Sequence, residues 1–147
     1  MDGSDDRGMS AAPTLVRVVD GMTTGLISCA PEATLRTVAK LMAAHRVHAV
    51  YVFDYGLEDD ETVELWGLVN DRDVAAGVRD DLDGLTARES AVTPLVVVQD
   101  DEPLEHAAAL MAERGVSHLA VLDSVTGRPV GVISTLDIAA AAADMRF

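Results

Sequence analysis

A single cysteine, Cys29, excludes an intramolecular disulfide and a cysteine-rich zinc framework. Aromatic residues are almost as scarce: Tyr51, Phe53, Tyr55, Trp66 and Phe147 make up 3% of the chain, which rules against base-stacking platforms and leaves the core to aliphatic side chains. Lysine occurs once, as Lys40 within a helical pattern, so amine chemistry has one candidate. Positive charge is short overall. The 25 acidic residues outweigh 11 basic ones to give a net charge of −14, a field that repels nucleic acid and anionic membrane surfaces. No apolar run reaches the roughly 18 to 20 residues of a membrane span, and the N-terminus is acidic and polar where a secretory signal is basic and then apolar. The expectation is a cytoplasmic protein that binds neither nucleic acid nor membrane.

What is present is a repeat. With 147 residues and 49% hydrophobic content, the chain can bury a core as one domain or two very small ones. Pro31 to Asp54 aligns with Asp100 to Asp123 at a constant offset of 69, placing Leu35 on Leu104, Met42 on Met111 and Val47 on Val116. After a loop five residues longer in the first copy, the match resumes with Gly67-Leu-Val-Asn-Asp-Arg-Asp73 on Gly131-Val-Ile-Ser-Thr-Leu-Asp137.

Each copy reads as strand, helix, two strands and helix. Leu35, Val38, Ala39 and Met42 form one apolar helical stripe, and Leu104, Ala107, Ala108 and Met111 form the other. Thr34 and Asp101 are the expected N-caps. Short strands at Leu26 to Cys29 and Leu95 to Val98 precede these helices, and β-branched runs at His48 to Phe53 and His118 to Leu122 follow them. The acidic stretch from Asp54 to Glu64 lacks the glycine and spacing of a calcium loop and reads as a solvated connection. The boundaries drawn on these patterns are a disordered tail at 1–12, a first repeat at 13–78, a linker at 79–90 with a helical turn or two in its second half, and a second repeat at 91–147.

These residues resemble the CBS domain, the cystathionine β-synthase regulatory module, in tandem over about Val16 to Ala143. The family's closing pattern of glycine, two apolar residues, Ser or Thr, two variable residues and Asp is met in full by Gly131 to Asp137. The first copy has Asn70 in the hydroxyl's place. The resemblance implies an α+β fold of two β-α-β-β-α repeats packed through their sheets as a pseudo-two-fold pair. It further implies two clefts that take adenosyl compounds such as AMP, ADP, ATP, S-adenosylmethionine or NAD, and association of two chains into a disc, a homodimer. Carried over by position, the first cleft uses Leu26, Ile27, His48 and Ala49 against adenine, Ser134 and Asp137 on the ribose and phosphate side, and Ser117 and His118 near phosphate. The second uses Asn70, Arg72 and Asp73, with His48 near phosphate and Leu95 and Val96 against the base.

The closing motif also stands on physical grounds. A turn from an apolar strand straight into a helix points free N–H groups and the positive end of the helix dipole outward, where an anion can be held. Ser134 adds a donor, and Asp137 can accept from ribose hydroxyls. The same Ser-x-x-Asp spacing makes a capping box, and an acidic first turn stabilises a helix by about 0.3 to 1 kcal/mol without a ligand. Both readings stand. His118 likewise reads as a phosphate neighbour or as a strand-start histidine paired with backbone. Only Arg72, Arg46 and Arg114 are placed near the clefts, so the favoured ligand is AMP or a nucleoside-like compound over ATP.

Other chemistry is poorly supported. His45 and His48 straddle a helix end and do not make a metal pair, Cys29 reads as a core thiol, and no nucleophile elbow, zinc-protease or phosphate-loop sequence occurs. The expectation is therefore a regulatory module without catalytic activity or cofactor, acting on an effector protein. A ligand-independent dimerising scaffold is the alternative.

Overall fold

The computed structural model describes residues 16–55, 63–91 and 95–144. The tail expected over 1–12, most of the acidic loop and Val92-Thr93-Pro94 lie outside them. Along the chain run α1 (Val18–Gly21), β1 (Thr23–Thr24), β2 (Ser28–Cys29), α2 (Leu35–His45), β3 (Ala49–Tyr55), β4 (Val63–Asn70) and α3 (Asp71–Gly77). Then follow α4 (Ala87–Ser90), β5 (Val97–Gln99), α5 (Leu104–Arg114), β6 (His118–Leu122), β7 (Pro129–Ser134) and α6 (Thr135–Asp144). Each copy thus has the order strand, helix, strand, strand, helix, and the fold is α+β as the repeat implied.

Two mixed sheets result. In the first, β2 pairs parallel with β3 and β3 antiparallel with β4; in the second, β5 pairs parallel with β6, β6 antiparallel with β7, and β1 closes the edge of β7. A strand buried on both sides shows no polar alternation, which explains the continuous apolar runs. Val50 and Val52 of β3 face the helices with Leu35, Val38 and Met42, while Ala49, Tyr51 and Phe53 face the other repeat and meet Ala120, Leu95 and Val132. The repeats are therefore joined sheet to sheet.

The segments that lead into each repeat cross to the opposite one. Val18, fully buried, belongs to the core of the second repeat with Leu104, Met111 and Ile133, and Val16 O accepts from Leu104 N at 2.8 Å. Residues 79–90, read from sequence as a linker, supply Leu82, Leu85 and Ala87 to the core of the first repeat, and Leu85 O accepts from Leu35 N at 2.9 Å. The second half of that stretch forms the single turn α4.

Thr34 caps α2 as expected, its hydroxyl accepting from Thr37 N. Asp101 does not cap α5. The helix starts after Pro103, which has no side-chain acceptor, and the lead-in carbonyl of Val16 meets the first helical N–H instead. Gly131 matters for close approach: a Cβ there would stand 2.5 Å from Thr23 O, so only glycine admits β1 beside β7.

Candidate functional site

Two neighbouring clefts open at the sheet-to-sheet interface, and each is built from the strand start of one repeat and the closing turn of the other. The first lies between Ile27, Arg46, His48 and Ala49 of the first repeat and Val132, Ser134, Leu136 and Asp137 of the second, with Thr23, Gly25, Tyr51 and His118 completing it. The second lies between Leu95, Val96, Gly115, Val116, Ser117 and His118 on one side and Leu68, Asn70, Arg72, Asp73 and Ala76 on the other. The walls correspond position for position under the repeat, with Arg46 opposite Gly115, His48 opposite Ser117, and Leu136 opposite Arg72.

The closing turns are capping boxes. Ser134 N donates to Asp137 Oδ2 at 2.8 Å while Asp137 N donates to Ser134 Oγ at 3.1 Å; Asn70 N donates to Asp73 Oδ2 at 2.9 Å and Asp73 N to Asn70 Oδ1 at 3.0 Å. Capping occupies one oxygen of each carboxylate. The other, Asp137 Oδ1, meets Thr23 Oγ1 at 3.4 Å, a long contact that leaves acceptor capacity toward the cleft. Capping and ligand contact are therefore compatible. Burial raises the Asp73 carboxyl above its ordinary range, opposed by the Asn70 N–H and the Arg72 charge.

His118 lines both clefts. Its Nδ1 lies 2.8 Å from Ser117 Oγ, and burial lowers its basicity below the ordinary value; His48 and Arg72 add to that, and Asp71 and Asp137 oppose it. At neutral pH it is mainly an uncharged imidazole. His48, largely exposed, pairs through Nδ1 with Asp71 Oδ2 at 3.0 Å, and its carbonyl accepts from Asp71 N. Burial pushes the Cys29 thiol up to about 11, leaving a neutral core thiol. No cluster of three metal-ligating side chains occurs among the described residues, and no helix among them is long and apolar enough to cross a membrane.

The family model described as CBS domain matches this chain twice, over residues 16–80 and 88–144. The chain belongs to the CBS domain family. It is 32% identical over 124 residues to the CBS domain-containing protein YhcV of Bacillus subtilis (strain 168), covering 83% of this chain and 82% of that protein. Among solved structures, the CBS domain pair of protein MJ0100, determined in complex with 5'-methylthioadenosine and S-adenosyl-L-methionine, matches with a TM-score of 0.72 at 22% identity over 88% of this chain and 97% of that one. A hexameric CBS-CP12 protein from bloom-forming cyanobacteria matches with a TM-score of 0.70 at 23% identity over 85% of this chain and 70% of its own. At such identities the structural likeness establishes the fold of the CBS pair.

Of the residues assigned to the first CBS cleft from sequence, Ile27, His48, Ala49, His118, Ser134 and Asp137 come together there. Two do not. Leu26, 41% exposed, does not line the cleft, whereas its neighbours Gly25 and Ile27 do. Ser117 lines the second cleft, because it is the repeat equivalent of His48 and so belongs to the opposite strand start. Asn70, Arg72, Asp73, Leu95 and Val96 all line the second cleft, whereas His48 does not, its side chain being turned to Asp71 in front of the first. Arg114 lines neither; Gly115 does.

Thr23, Tyr51 and Leu136 were missed by sequence reasoning. For Leu136 the signal was present, since it is the repeat equivalent of Arg72. Thr23 reaches the cleft only through the long-range pairing of β1 with β7, which no local pattern announces.

Proposed function

We propose that this CBS pair is a regulatory module that binds an adenosyl ligand, AMP in preference to ATP, in the cleft closed by Asp137, and passes its occupancy to an effector protein. The observation that carries this reading is the shared construction of the cleft. Ile27, His48 and Ala49 come from one repeat and Ser134 and Asp137 from the other, so a ligand between them bridges both. A bridging ligand binds one relative orientation of the repeats better than another, which is the requirement for shifting a population. Asp137 keeps acceptor capacity for a ribose hydroxyl, and Ile27, Ala49, Val132 and Leu136 give an apolar wall for a base. With one guanidinium and a mainly neutral His118 facing it, the cleft favours few phosphates over many. The reading assigns the site no bond-making step. In it the protein works in the cytoplasm as a homodimer.

A second reading is favoured by the capping boxes: Ser134 and Asp137 satisfy each other's backbone groups without a ligand, as a dimerising scaffold requires. Calorimetric titration of ligand-freed protein with AMP, ADP, ATP, S-adenosylmethionine and NAD separates the two. The sensor reading expects micromolar binding of AMP, weakened at least tenfold by Asp137→Ala. No binding across the panel, with assembly unchanged in the variant, selects the scaffold.

A further inference from the structure

The two clefts correspond position for position under the repeat, and they differ in where their guanidinium stands. In the second, Arg72 rises from the first turn of α3, opposite Gly115 at the end of α5; in the first, the α3 counterpart is Leu136 and the helix-end counterpart is Arg46. Arg46 and Gly115 are both C-caps, with backbone in the left-handed region at φ 55 and φ 65. That conformation suits glycine, and Arg46 is the one non-glycine residue with positive φ among those described. An arginine thus holds a glycine's place on the lip of a cleft. Arg36 is engaged with Asp83. The Arg46 backbone N–H donates to Met42 O, whereas its guanidinium makes no hydrogen bond or ion pair with any described residue.

We propose that Arg46 recognises the anionic end of the ligand in the Asp137 cleft, and makes that cleft select a phosphorylated adenosyl compound over an uncharged one. This rests on the adenosyl reading of the cleft. Asp137 and Arg46 stand on opposite repeats, so the pair fixes direction as well as charge: hydroxyls toward α6, anion toward the end of α2. An arginine forks onto phosphate oxygens, which a neutral nucleoside lacks. In the second cleft the single arginine stands on the other wall, so the same ligand laid in the pseudo-symmetric pose meets Gly115 with its anion. The two clefts therefore differ in what they accept.

The bland role for Arg46 is a cation at a helix C-terminus, favourable to the dipole. The test separates it from recognition by comparing AMP with adenosine, in calorimetric titrations of wild type, Arg46→Gly, Arg46→Gln and Arg46→Lys, for the binding component that Asp137→Asn removes. Arg46→Gly adopts the φ of Gly115 without strain, and Arg46→Gln keeps the stem and removes the charge. The expected result is at least a tenfold loss of AMP affinity in both, a smaller loss in Arg46→Lys, and adenosine affinity within twofold throughout. Unchanged AMP affinity, or equal losses for AMP and adenosine, overturns the proposal while the sensor reading stands. Absence of AMP and adenosine binding in wild type overturns both.

Discussion

The hydroxyl of Tyr51 reaches from the first repeat into the sheet of the second, where it donates to Gly131 O and accepts from Val121 N. Val121 pairs with Gly131 but Leu122 with Pro129, so Val130 is an extra residue in β7 and the ladder is interrupted at that point. Tyr51 fills the interruption. It is 1% exposed and stacks on Phe53, and burial holds its phenol well above the ordinary range. Its counterpart in the second repeat is Ala120, so one repeat provides the tie and the other receives it. Tyr51→Phe keeps the ring and leaves two buried backbone groups unpaired, with an expected loss of about 1 to 3 kcal/mol in urea unfolding. No change in the unfolding midpoint would contradict the role assigned to the hydroxyl. A tyrosine between Val50 and Val52 in a buried strand signals a polar tip in need of a partner, but the partners lie 70 and 80 residues away and are set by packing.

At the scale of elements, helices α2 and α5 were legible because their periodic stripes report one buried face: Leu35, Val38 and Met42 in one, Leu104, Ala107 and Met111 in the other. The hairpin strands were legible from their β-branched runs. What sequence reasoning missed is short and depends on distant partners. Strand β1 is two residues long and exists through Thr23 and Thr24 pairing with Val132 and Gly131, and α1 is one turn held by Val18 in the core of the other repeat. Neither has enough length for a period. Their exchange of sides has a consequence: deletion through Thr24 removes a core residue and an edge strand from the second repeat. Amide hydrogen exchange should then show faster exchange in α5, β6 and β7, with α2 and β3 the better protected. Equal protection in both repeats would refute the crossed packing.

For the whole molecule, the repeat and its closing motif led to Asn70, Asp73, Ser134 and Asp137 and to the two inter-repeat clefts. The offset of the repeat also contains the cross-relation that assigns Ser117 to the second cleft and leaves His118 between the two. Asymmetry was harder to read. Arg46 in place of a glycine, and Leu136 in place of Arg72, gain meaning once the helix end and the opposite turn are seen to border one space. Charge works at the same scale: with a net −14 outside, an anionic ligand is retained only where local cations and N–H groups outweigh the general field.

The central claim is that an adenosyl ligand lies between the two CBS repeats and touches both. A crystal structure of the protein with AMP tests it most directly. The account predicts AMP in the first cleft, its ribose hydroxyls on Asp137, its base among Ile27, Ala49 and Val132, and its phosphate at Arg46. AMP bound outside the inter-repeat clefts, or held by one repeat alone, would contradict it.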